Sequence, residues 1–100
     1  MCLLYAFSIL ANVDNIDPVI YWCLTDISVA IPLGFTGTTI SWPEPTATDN
    51  SGSTVGFTST SSPGDTFNVG TTQVTYTFVD GSGNDAFCSF FVTVAGMFVL

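Results

Sequence analysis

The chain contains no lysine, no arginine and no histidine. Average usage would supply on the order of ten Lys and Arg in a chain of this length. Binding to a nucleic acid requires cations that displace phosphate counterions, so their absence argues against such a partner and equally against anionic membrane surfaces. Without His or Lys the commonest general bases and the Schiff-base nucleophile are missing, and a Ser or Cys nucleophile has no imidazole to activate it. Charged residues make up 8% in all, against about 25% in a typical soluble domain. Every one is acidic: Asp14, Asp17, Asp26, Glu44, Asp49, Asp65, Asp80 and Asp85. Two carboxylates could in principle form an acid–base pair. Most of these sit beside Gly, Asn, Pro or Ser, in turn-like contexts, and the composition points away from an enzyme. No run of about 20 apolar residues, as a membrane span requires, is present. No Asn-x-Ser/Thr sequon occurs either, so N-glycosylation is not expected.

What remains is apolar and hydroxylated. Apolar residues are 47% of the 100, enough for one folded domain; a chain of this size buries roughly 65% of its unfolded surface. No segment sustains a helical period. From Thr72 to Asp80, Val74, Tyr76 and Phe78 alternate with Gln73, Thr75 and Thr77, the period of a half-buried strand. The turn Gly81-Ser82-Gly83-Asn84 follows, built of residues that tolerate positive φ. The run from Phe87 to Val94 alternates again, with Cys88, Phe90, Val92 and Val94 on one face. The two runs predict a β-hairpin. Further strands are predicted at 26–31, 36–42, 55–60 and 66–69, with Ile40 and Trp42 on one face of the second. Six or seven short strands at this spacing predict a β-sandwich. The Ser and Thr residues suit strands, and O-linked sugar on 46–54 or 58–62 is an open alternative.

Several strings, in collinear order over about residues 17–94, resemble the hyalin repeat (HYR) domain, an extracellular immunoglobulin-like module. They are Asp17-Pro18-Val19-Ile20, Cys23, Asp26-Ile27-Ser28-Val29, Ile40-Ser41-Trp42 and Glu44-Pro45-Thr46-Ala47-Thr48-Asp49-Asn50-Ser51-Gly52. Ser62-Pro63-Gly64-Asp65-Thr66-Phe67 comes next. The series closes with Val69-Gly70-Thr71-Thr72, Val74-Thr75-Tyr76, Asp80, Ser82-Gly83-Asn84 and Cys88-Ser89-Phe90. The chain departs from the family pattern at Asp17, where Pro is common, at Tyr21-Trp22, at Leu24, and in its lack of basic residues. The resemblance implies an all-β, immunoglobulin-like antiparallel sandwich, an extracellular, secreted location, and an adhesion or matrix role without catalysis. It also implies that Cys23 and Cys88 pair; read from the residues alone, two buried reduced thiols remain an alternative. Cys2 is left over, free or joined to another chain.

Oxygen-bearing residues Asp80, Ser82, Asn84 and Asp85 raise the possibility of a calcium ligand set. The competing expectation, which the resemblance favours, is a structural turn closed by Asp80 and Asn84 on its own backbone. No cofactor and no metal are expected.

The ends are apolar. The sequence divides into an N-terminal extension at 1–16, a sandwich at 17–95 and a tail at 96–100. The extension lacks the positive segment of a signal peptide. Its Leu3, Tyr5, Phe7 and Ile9 share one face at strand period; its Leu and Ala leave a helix open. Such a face predicts pairing with an open sheet edge of a neighbouring subunit, with Tyr21, Trp22, Phe87 and Phe91 as further contact residues. Coverage of Phe87 and Phe91 by the chain's own N-terminal strand is the alternative. Two functions follow as expectations: a subunit of a self-assembling extracellular filament or matrix, and an adhesion module that recognises another protein or a glycan.

Overall fold

The computed structural model describes residues 16–50 and 55–97. Within them lie eight strands: β1 (Val19–Tyr21), β2 (Ile27–Ile31), β3 (Gly37–Thr39), β4 (Thr46–Thr48), β5 (Gly56–Ser59), β6 (Thr66–Asn68), β7 (Gly70–Val79) and β8 (Asp85–Gly96). No helix occurs among the described residues.

The hairpin read from the alternation is the centre of the fold. Strands β7 and β8 pair antiparallel from Gly70 opposite Val94 to Val79 opposite Asp85. The alternating apolar set faces inward: Val74, Tyr76, Phe78, Cys88, Phe90, Val92 and Val94 are each at most 2% exposed. Strand β5 flanks β7 antiparallel and β2 flanks β8, giving the order β2-β8-β7-β5. The β2–β8 pair is parallel, with Ile27 opposite Val92 and Ile31 opposite Gly96. A parallel neighbour needs a long crossover, which the whole intervening chain supplies. Asp26 anchors its start: the Phe91 N–H donates to Asp26 Oδ1 at 2.9 Å.

Two antiparallel ribbons, β1–β4 and β3–β6, make up the rest of the sheet structure. The segment predicted as a strand at 36–42 is a strand only over Gly37–Thr39. Beyond it the Ile40 N–H donates to the Asp65 carbonyl, and the Ile40 carbonyl accepts from Gly64 N–H; the Ser62–Asp65 turn takes the place of a strand partner. Ile40 and Trp42 are nevertheless buried as the alternation implies. Trp42 stands edge-on to Phe90, with centroids 5.2 Å apart at 78°, and tilts against Phe67 at 5.9 Å. This contact joins the residues ahead of β4 to the central sheet, and such aromatic pairs add about 0.5–1.5 kcal/mol beyond area burial. Gly37 allows β3 to approach β6: a Cβ there would lie 2.7 Å from the Phe67 carbonyl oxygen.

Strands β1 and β4 have no counterpart in the strand reading. Each is three residues long, too short to show a period. The first strand predicted, at 26–31, would leave Cys23 ahead of every strand; with β1 present it lies between β1 and β2.

Candidate functional site

Cys23 and Cys88 form a disulfide with a Cα–Cα distance of 5.8 Å, the pair that the family resemblance implies. Cys88 lies in the core of β8, and Cys23 is exposed in the β1–β2 loop. The bond therefore ties a surface loop to a central strand of the four-stranded sheet.

Next to it a polar relay runs from the core to the surface. The Trp42 Nε1–H donates to the Tyr76 hydroxyl at 2.8 Å, and that hydroxyl donates to Glu44 Oε2 at 3.0 Å. Tyr76 has no exposed surface, so both of its hydrogen bonds are needed to offset its desolvation. Burial raises the Tyr76 pKa from the usual 10.0; the hydrogen bond to Glu44 and its charge raise it further, against the lowering effect of the Trp42 indole. With the folded value raised, the unfolded chain loses its phenolic proton first. Stability is fully present below pH 10.0 and is expected to fall as pH rises from there through the folded value. Urea midpoints across the alkaline range test this; Tyr76→Phe should reduce the slope although it lowers the midpoint at neutral pH.

The Asp80 turn is closed on itself. Asp80 Oδ1 accepts from the Ser82 and Asn84 N–H groups at 2.9 Å each, and Oδ2 accepts from Asn84 Nδ2 at 3.0 Å. The Asp80 N–H also donates to the Asn84 carbonyl. Asp80, Ser82 and Asn84 are thus brought together, while Asp85 opens β8 opposite Val79. A cation here would compete with these N–H donors for Asp80, a residue only 5% exposed. No group of three or more His, Cys, Asp or Glu side chains able to hold a metal occurs among the described residues. Asp80→Ala is expected to cost about 2–3 kcal/mol, because it orphans donors to a charged acceptor. Excess EDTA should leave the thermal midpoint of the parent protein unchanged, and a fall on chelation would reinstate a calcium role.

The predicted contact residues fall into separate places. Leu3, Tyr5, Phe7 and Ile9 lie outside the described residues. Phe87 and Phe91 project from the outward face of β8, 63% and 43% exposed. Phe87 is opposite Thr77 and Phe91 opposite Gln73. Around them runs a hydroxyl ladder, with Thr75 bonded to Ser89 at 3.0 Å and Thr71 to Thr93 at 3.2 Å. The outer face of the hairpin therefore combines two aromatic rings with fixed hydroxyls. Tyr21 is exposed at the end of β1.

Trp22 is 80% exposed and has φ 65°. A bulky residue in the left-handed region is a true outlier, at a cost of about 1–3 kcal/mol that the surroundings must hold. It borders an open cleft of 420 Å³ lined also by Cys23, Leu24, Thr25, Pro43 and Glu44. Sequence reasoning named Trp22 but missed Glu44, whose link to Tyr76 spans 32 residues and leaves no local signal.

Among the described residues no helix is long and apolar enough to cross a membrane. The HYR domain family model matches residues 13–94. Hyalin of Lytechinus variegatus is 49% identical over 75 residues, covering 75% of this chain and 14% of that protein. Hyalin of Strongylocentrotus purpuratus is 44% identical over 86 residues, covering 85% and 7%. The sushi, von Willebrand factor type A, EGF and pentraxin domain-containing protein 1 of Rattus norvegicus is 36% identical over 89 residues, covering 84% and 2%. The chain thus spans a small fraction of the curated relatives it matches. No solved structure matches it significantly. With the family model spanning most of its length and the strands, disulfide and Asp80 turn of a sandwich in place, the chain belongs to the HYR domain family.

Proposed function

We propose that the chain is a non-catalytic extracellular structural module, a self-associating unit of a filament or matrix. The observation that carries this reading is the outward face of β8, where Phe87 and Phe91 stand in solvent at 63% and 43% exposure. Exposed aromatic pairs of this kind mark contact surfaces. Strand addition is the second element. Strands β2 and β5 flank the four-stranded sheet, and either edge offers main-chain groups to an incoming strand, for which the apolar residues 1–13 are the candidate. A contact of this head-to-tail type that does not close yields a filament. The likeness to the two hyalins supports the structural role.

The small share of each relative that the chain covers favours a second reading, an adhesion module that binds another protein or a glycan. Sedimentation and electron microscopy separate the two. The parent protein is expected to associate, and more strongly at mild acidity or raised salt, because its net charge of −8 opposes close approach. Burying one Phe contributes about 1.5–3 kcal/mol, part of which association entropy offsets. Phe87→Ser with Phe91→Ser should therefore weaken association about 10–100-fold. Deleting residues 1–13 should leave a folded monomer. A parent protein that stays monomeric at all concentrations would transfer the argument to the adhesion reading.

A further inference from the structure

We propose that the Trp22–Glu44 cleft is a receptor for a cationic side chain, Arg or Lys, carried by a protein other than a copy of this chain. This stands apart from the self-association reading, since no residue of the β8 outer face lines the cleft.

Three observations converge. The cleft has a volume of 420 Å³, within the roughly 300–1,000 Å³ of ligand sites. Its walls are Trp22, Cys23, Leu24 and Pro43, with Thr25 a neutral polar member and Glu44 the charged one. An apolar stem lying along such walls with its charge directed at a carboxylate matches the way long cationic side chains bury.

The carboxylate is positioned in advance. Glu44 Oε2 is held by the Tyr76 hydroxyl, itself fixed by Trp42 Nε1–H, and both of those side chains are buried. One oxygen is tied to the core, which orients the group. An oriented carboxylate forms short, charge-assisted hydrogen bonds to guanidinium or ammonium groups.

Trp22 supplies the second recognition element. Its ring is 80% exposed although its backbone sits at φ 65°. Held there between β1 and the disulfide at Cys23, the indole offers a face to solvent that a cation can occupy, and Trp is the strongest such partner. Strained backbone held by its surroundings concentrates at binding sites.

Charge identifies the occupant. The chain has eight carboxylates and no Lys, Arg or His, so a second copy offers no cationic side chain. The same field steers basic partners toward this module.

Nuclear magnetic resonance of the full 100-residue chain tests the proposal. The chain holds two tryptophans, and their indole N–H signals report separately on the exposed cleft (Trp22) and the core (Trp42). The probe is the peptide acetyl-Gly-Gly-Arg-Gly-Gly-amide; the control peptide carries norleucine in place of Arg. The Trp22 signal should shift saturably with the Arg peptide, the Trp42 signal should not, and the norleucine peptide should bind at least tenfold more weakly. Glu44→Gln, which keeps an acceptor for Tyr76, should raise the dissociation constant at least fivefold at an unchanged melting temperature. Trp22→Gly relieves the backbone strain, so it should melt at or above the parent temperature and yet lose binding. Equal binding of both peptides, no effect of Glu44→Gln, or a Trp22 shift that depends on protein concentration alone would each overturn the proposal. The last result would assign the cleft to a second copy.

Discussion

Removing the Cys23–Cys88 bond is expected to lower the free energy of unfolding by about 4 kcal/mol in the chain-entropy account of cross-links. The bond joins residues 65 apart in sequence, so in the unfolded chain it closes most of the domain into one loop. A loss of that size is a large share of the roughly 5–15 kcal/mol typical of a whole domain. Strand β8 pairs with both β7 and β2, so loosening Cys88 reaches the centre of the sheet. The comparison is denaturant unfolding of the oxidised protein against the Cys23→Ser, Cys88→Ala variant. Ala suits the buried position because a Ser hydroxyl at 2% exposure would add an unsatisfied polar group. An unchanged midpoint would mean that packing around Cys88 alone holds β1 and β8 together.

Trp42→Ala is expected to cost about 3–5 kcal/mol, the range for truncating a buried aromatic. Trp42 is 6% exposed and contacts both Phe90 and Phe67, so its removal opens a cavity between the β3–β4 segment and the central sheet. It also takes away the donor to the Tyr76 hydroxyl. Trp42→Phe separates these effects: it keeps most of the ring contact and loses the N–H, at an expected cost of about 1–2 kcal/mol. Urea unfolding of the two variants side by side gives the answer. Equal losses would assign the stabilisation to the hydrogen bond instead of the packing.

The features legible in the sequence were those with a local period. Val74, Tyr76 and Phe78 alternate against Cys88, Phe90, Val92 and Val94, and all seven are buried. A β-hairpin writes its burial pattern into neighbouring residues, so its core can be read directly. Strands β1 and β4 could not be read, since three residues carry no period and their pairing of Ile20 with Ala47 reaches across β2 and β3 in sequence. The parallel direction of β2 was equally hidden, because alternation reports which face a residue takes and not which way its neighbour runs. Cys23 with Cys88 came from likeness to the family, not from spacing. For the site, the exposed Trp22, Phe87 and Phe91 were visible as misplaced aromatics. The Trp42–Tyr76–Glu44 relay was not, because hydrogen bonds across 34 and 32 residues depend on the finished fold. The left-handed backbone of Trp22 was hidden for the same reason: nothing in a Trp residue announces it.

The disulfide also sets how the module responds to mechanical load. When the chain is pulled from both ends, tension entering from the N-terminal side reaches Cys23 and crosses the sulfurs to Cys88, then leaves along β8. The stretch between the two cysteines, 65 positions in sequence, lies off the force-bearing path. All of β2 to β7 and the Trp42 core belong to it. In the oxidised state, pulling can extend only the residues outside that loop, and the part of the sandwich within it stays folded under strain. Reduction would transfer the load to the β2–β8 pair and, once that sheared, release about 230 Å of slack at roughly 3.5 Å per residue. In a loaded matrix the oxidised module is therefore a nearly inextensible link, and the reduced one is a spring of long reach.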